Sequence, residues 1–76
     1  MEERLKNLFS EILEVSIDEA ELCTMHNTKS WDSFTHMSLM MSIESEVLNQ
    51  PIDSDRIAEL TSFQDCLMYV CSKVSS

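Results

Sequence analysis

Among these 76 residues, few side chains stand in a context that suits covalent chemistry. The candidate nucleophiles are Ser33, Cys23, Cys66 and Cys71, and the candidate bases are His26 and His36. Ser33 is the best placed. In Trp31-Asp32-Ser33 a polar loop ends and an apolar-rich helix opens. Unsatisfied backbone N–H groups and the positive dipole end favour an anion at such a helix mouth, so a hydroxyl there is well placed to carry a phosphate. A chain that holds a group covalently at Ser33 is a carrier, not a catalyst. The competing chemistry is a hydrolase, because His36 lies three residues on and near the same helix face. A Ser–His pair also needs a group to orient the histidine and a set of oxyanion donors, which a domain this small has little room to enclose.

The other candidates point to less. The three cysteines are an odd number with no C-x-x-C pair, which supports neither a zinc site nor a redox dithiol. Cys66 and Cys71 fall at i and i+5 of one helix and do not share a face, so all three read as reduced thiols in a reducing compartment. No second ligand stands four residues after His36, and no metal is expected. By helix angle His36 falls on a core arc near Met40 and Ile43. It reads as a partly buried histidine bonding the backbone of the long loop.

The elements that must position Ser33 follow from periodicity. Leu5, Leu8, Phe9 and Ile12 predict a first helix over residues 2–15. From Ser16 to Asp32 the period is lost, and His26-Asn27-Thr28-Lys29-Ser30 has loop composition. A loop this long needs anchors, for which Ile17, Leu22, Met25 and Trp31 are the apolar candidates, with a short helical turn near residues 18–22. The second helix is predicted over residues 33–48 with Asp32 as N-cap. Leu39, Met40, Ile43 and Val47 share its core arc, while Phe34, Met37 and Met41 share a different one. That second stripe reads either as core packed against the long loop or as an exposed face for a partner. Glu44 and Glu46 follow as solvated charge. Pro51 breaks the helix. A short third helix over residues 55–60 turns Ile57 and Leu60 inward. Thr61 to Gln64 resembles a capping box that opens a last helix with Phe63, Leu67, Val70 and Val74 inside, and the tail from Lys73 frays. The expectation is a single all-α domain over residues 1–76: four helices, the third short, with a long loop after the first.

Composition removes other classes. Fourteen acidic residues against five basic ones give a formal charge of −9. Nucleic acid is not an expected partner, since phosphate binding needs a basic patch. An acidic surface suits a partner with a Lys/Arg-rich face. The complete absence of glycine argues for helices and removes the P-loop and the dinucleotide fingerprint. No apolar run is long enough for a membrane span, and the N-terminus lacks the layout of a signal peptide, so no membrane insertion and a cytoplasmic location are expected.

Asp32-Ser33-Phe34, the helix S-F-x-x-M-x-L-M-M-x-I-E-x-E-V, Ile52, Ile57 and Thr61-Ser62-Phe63-Gln64-Asp65 together resemble the acyl carrier protein family. The resemblance covers the whole chain. Trp31 before Asp-Ser and a histidine three residues after it look like a divergent group of stand-alone carriers. The resemblance implies an acyl-carrier-like four-helix bundle. It implies that Ser33 receives a 4′-phosphopantetheine arm from coenzyme A through a phosphodiester on Oγ, installed by a Mg²⁺-dependent phosphopantetheinyl transferase. The arm's thiol then holds an acyl group as a thioester, which a non-catalytic, monomeric protein presents to acyl-loading and acyl-transfer or condensing enzymes. By the same resemblance Asp32 aids recognition by the transferase, and Phe34, in place of the usual leucine, is the apolar docking contact. Met37 and Met41 extend that contact, Glu44 and Glu46 meet basic residues on partners, and His36 is a candidate to line the mouth of an acyl pocket. Where the family often has acids two and five residues after the serine, this chain has Thr35 and Ser38. That thins the acidic face and points to a specialised lipid, polyketide or related biosynthetic pathway. The alternative is a carrier-like interaction module that lacks the arm.

Overall fold

Helix α1 (Glu2–Leu13) buries Leu5, Leu8, Phe9 and Leu13, one stripe of its surface, against the rest of the chain. The computed structural model describes residues 2–74. The fraying expected from Lys73 is not seen at Lys73 and Val74, which are helical, and Ser75 and Ser76 lie outside the described residues. Helix α1 stops two residues earlier than periodicity predicts because Glu14 turns into the left-handed region at φ 57°. The Val15 N–H then reaches back to the Ser10 carbonyl at 3.2 Å. This is the Schellman closure with glutamate where glycine is usual.

Helix α2 (Ile17–Ala20) is a single turn inside the predicted loop, capped by the Ser16 hydroxyl, which accepts from the Glu19 N–H. After it, polar side chains hold the loop in shape. The Asn27 carboxamide accepts from the Thr24 N–H at 2.8 Å and donates to the Leu22 carbonyl, and the Ser30 hydroxyl donates to the Leu13 carbonyl. Backbone bonds from Met25 to Thr61 and from Phe63 to Cys23 tie the loop to the start of the last helix. The anchors therefore differ from expectation. Trp31 is buried, as predicted, but Ile17 and Leu22 are exposed, Leu22 by 72%. Ala20 and Cys23 are buried in their place. Met25 packs partly buried against the core, and local hydrogen bonds add to these buried residues in holding the loop.

Helix α3 (Ser33–Ser42) continues as a π-helical segment (Ile43–Leu48), and Asn49 ends it in the left-handed conformation at φ 55°. The core arc of this element is as predicted: Leu39, Met40, Ile43 and Val47 are all buried. Helix α4 (Ser54–Ile57) is shorter than expected, with Asp53 at its N-cap position. Helix α5 (Phe63–Val74) opens on Ser62, whose hydroxyl accepts from the Asp65 N–H at 3.1 Å. The capping pair is thus Ser62 and Asp65, not Thr61 and Gln64. The Gln64 carboxamide instead donates to the Glu21 carbonyl. The buried stripe of α5 is Phe63, Cys66, Tyr69 and Val70, while Val74 is half exposed and Leu67 only partly buried.

The fold is all-α, and among the described residues no strand forms beyond an isolated bridge between Thr24 and Ser62. Four of the five helices are the predicted ones, and α2 is the helical turn expected in the loop, one residue earlier than predicted. Helix α1 packs on α3 and α5, and the π-helical segment touches both α1 and α5. Phe9 sits at the centre, edge-on to Trp31 at 5.4 Å and to Phe63 at 5.1 Å between ring centroids. Such T-shaped pairs stabilise a core beyond the area they bury.

Candidate functional site

Ser33 is the first residue of α3 and is exposed. Asp32 shapes the mouth around it. Its backbone is extended at φ −100° and ψ −177°, and its carboxylate accepts from the Thr35 N–H at 2.9 Å. Its carbonyl takes the His36 N–H at 2.8 Å, which starts the helical ladder. The Thr35 backbone N–H, and then the Thr35 side chain, hold the Asp32 carboxyl below the usual carboxylate range. Asp32 is therefore an anion that fixes where the helix begins and leaves the neighbouring hydroxyl facing solvent.

Directly before this exposed pair the chain turns inward. Trp31 is 2% exposed, and its indole Nε1–H donates to His36 Nδ1 at 3.1 Å. Indole nitrogen can only donate, so Nδ1 must be the accepting nitrogen and Nε2 carries the hydrogen. That Nε2–H donates to the Ile57 carbonyl at 2.7 Å. The two rings lie 22° from parallel with centroids 6.1 Å apart. With their nitrogens at hydrogen-bond distance, they meet edge to edge in nearly one plane. His36 is buried, as its helix angle predicted, but its partners are the Trp31 indole and the α4 backbone, not the backbone of the long loop. Both ring nitrogens are engaged, so His36 forms no acid–base pair with Ser33 in this structure. Neither does it present a nitrogen to a pocket mouth.

The second stripe of α3 lies outside the core. Phe34 is 83% exposed, and Met37 and Met41 are about half exposed or more. Their i, i+3, i+7 spacing puts them on one face, starting at the residue beside Ser33. This decides between the two readings of the stripe: it is not core against the loop. At its far end the stripe meets a groove of about 730 Å³ lined by Met41, Glu44, Ser45, Asn49 and Pro51.

Glu44 and Glu46 are less alike than their spacing suggests. Both lie in the π-helical segment. Glu46 is exposed, and its backbone carbonyl accepts from Arg4. The Glu44 carboxylate accepts from the Ile52 N–H at 3.1 Å, fastening the chain after Pro51. Glu44 thus has a structural task that no sequence pattern announced. The relay from Trp31 through His36 to Ile57 was also missed. Its signal was a donor-only indole five residues before a histidine on a core arc, a pair that must satisfy itself internally.

Burial pushes the Cys66 thiol up to about 12, with the Asp65 charge adding to it. Cys23 is buried as well, Cys71 is exposed, and no disulfide joins the three. Among the described residues no group of three or more His, Cys, Asp or Glu side chains is arranged to hold a metal ion. No described helix is long and apolar enough to cross a membrane. No family model matches the chain, and no curated protein sequence matches it.

Proposed function

We propose that this chain is an acyl carrier protein, with Ser33 as the attachment point of a 4′-phosphopantetheine arm derived from coenzyme A. The observation that carries the reading is the juxtaposition at the mouth of α3. An exposed serine hydroxyl stands at the helix N-terminus, and an exposed apolar stripe begins at the next residue. The phosphodiester on Ser33 Oγ would place its negative charge at the positive end of the helix. The thiol of the arm carries an acyl group as a thioester. The tether raises the concentration of that group at any enzyme docked on the same face. Phe34, Met37 and Met41 form the docking contact, and the groove beyond Met41 extends it. Glu46 offers its carboxylate to basic residues of a partner, and Glu44 has one carboxylate oxygen left to do so. Asp32 holds the helix start in the form that the phosphopantetheinyl transferase recognises.

The fold on this reading is an acyl-carrier-like bundle with an extra turn, α2, in its long loop. The protein is a cytoplasmic monomer and catalyses nothing itself. Its partners are the transferase, an acyl-loading enzyme and an acyl-transfer or condensing enzyme of a specialised lipid, polyketide or related pathway. Engagement of both His36 nitrogens supports this reading over a Ser33–His36 hydrolase.

The test is a mass measurement. The chain is incubated with coenzyme A, Mg²⁺ and a promiscuous phosphopantetheinyl transferase. A gain of roughly 340 Da, the mass added by the arm, is expected, and Ser33→Ala abolishes it. No gain beside a competent control carrier overturns the reading and leaves the stripe of α3 as the face of an interaction module without an arm.

A further inference from the structure

His36 is buried, and its relay joins three separate elements. Trp31 ends the long loop, His36 belongs to α3, and Ile57 is the last residue of α4. The two hydrogen bonds require a neutral ring with its hydrogen on Nε2.

The surroundings offer no counter-charge for an imidazolium. Among the described residues no carboxylate oxygen lies within 4.0 Å of either ring nitrogen. On α3, the Asp32 carboxylate is turned to the Thr35 N–H. On α4, Asp55 and Arg56 precede Ile57 and are exposed, and the Arg56 guanidinium lies between Glu59 and the Tyr69 ring. On the loop, His26 and Lys29 are exposed. On α1, which meets Trp31 through Phe9, Lys6 pairs with Glu2 and Glu21, and Arg4 donates to the Glu46 carbonyl.

We infer that this relay is a proton-operated latch that opens when His36 takes a proton at Nδ1. The solvent proton occupies the lone pair that had accepted from Trp31. Two N–H donors then face each other across a separation suited to one shared hydrogen. The Nε2–H bond to Ile57 stays available, but the Trp31–His36 bond cannot form. The indole N–H is left without its acceptor in a water-poor setting, which favours displacement of the Trp31 end of the loop from the α3–α4 pair. The residue displaced is two positions before Ser33, so the latch sets the order of the helix mouth. This does not depend on the carrier reading and applies to the unmodified chain.

The test uses the full chain, labelled with ¹⁵N, from about pH 8 to about pH 5, the range in which histidine charge changes. The single tryptophan gives one indole N–H signal. As the His36 ring protonates, that signal is expected to shift in step with it and to exchange with solvent about tenfold faster. His36→Gln supplies a carbonyl and an N–H that do not titrate, so its indole signal stays constant with pH. Should that variant fail to fold, Trp31→Phe keeps an aromatic ring against Phe9 and removes the donor. The amides of the loop before Asp32 then keep the same solvent exchange when His36 protonates. An indole signal that is unmoved while the His36 ring titrates overturns the latch. A ring that stays neutral until the whole chain unfolds overturns it too, as does a Gln variant with the wild-type response.

Discussion

Phe34→Ala separates the two faces of α3 by energy. Phe34 is 83% exposed, so folding removes about a sixth of its surface from water. For a side chain of about 200 Å², at about 25 cal/mol per Å², the burial is worth at most roughly 0.9 kcal/mol. Alanine is the better helix former by about 0.5 kcal/mol. The expected net loss is therefore under about 0.5 kcal/mol, within the range of ordinary surface substitutions. Leu39, on the opposite arc, is fully buried. Leu39→Ala should cost about 2–5 kcal/mol, because it removes transfer energy and leaves a cavity. Urea unfolding of both variants with unchanged m-values reads the difference directly. If Phe34 is a docking contact, the same Phe34→Ala protein should accept the arm with a kcat/KM lowered about tenfold, equivalent to about 1.4 kcal/mol of lost contact. A Phe34→Ala loss above about 1.5 kcal/mol would show that Phe34 packs in the core and would refute the division of α3 into two faces.

Two further outcomes follow from the titratable groups. The Asp32 carboxyl is held below its unfolded value, so it stabilises the fold above that value and the contribution disappears as pH falls through the folded one. Asp32→Asn keeps a capping side chain without the charge, so acid unfolding monitored by circular dichroism should begin at lower pH than in the parent chain. Cys66 has the opposite sign: its thiol is raised to about 12, so its contribution is complete below the ordinary thiol range and is lost as pH rises towards that value. With a thiol reagent near neutral pH, exposed Cys71 should react at once and buried Cys23 and Cys66 only on unfolding, which a timed count of labelled cysteines resolves.

The helices and the position of Ser33 were legible because they depend on local pattern. The period of Leu5, Leu8 and Phe9, the cap at Asp32 and the break at Pro51 each act within a turn or two of chain. The two arcs of α3 were legible for the same reason. What escaped depended on contacts between residues far apart in sequence, or on geometry outside the α period. Leu22 looked like an anchor because it is apolar, yet Asn27 and the bridge to Ser62 already hold the loop. Glu44 looked like surface charge until the π-helical turn brought it to the Ile52 N–H. Val74 fitted the stripe of α5, but the core ends at Val70 and Tyr69 takes the outer place, with its hydroxyl accepting from the Asp53 N–H. Of the site itself, the exposed half could be read and the buried half could not. A cap and a stripe are sequence patterns, whereas a relay across three elements exists only once they have packed.

The bridge between Thr24 and Ser62 has a consequence for how the native molecule opens. The Phe9–Phe63 pair joins the first and last helices through the core. The two backbone bonds of the bridge close the chain between its first and last helices, and closure entropy makes such a contact slow to form. Besides its buried residues, the long loop is held by hydrogen bonds of exposed polar side chains. A segment held in this way is among the first parts to detach under mild destabilisation, while the Phe9–Phe63 pair stays intact. A protein built this way can loosen the approach to Ser33 as a minor native excursion, at a rate set by loop reclosure and not by global unfolding.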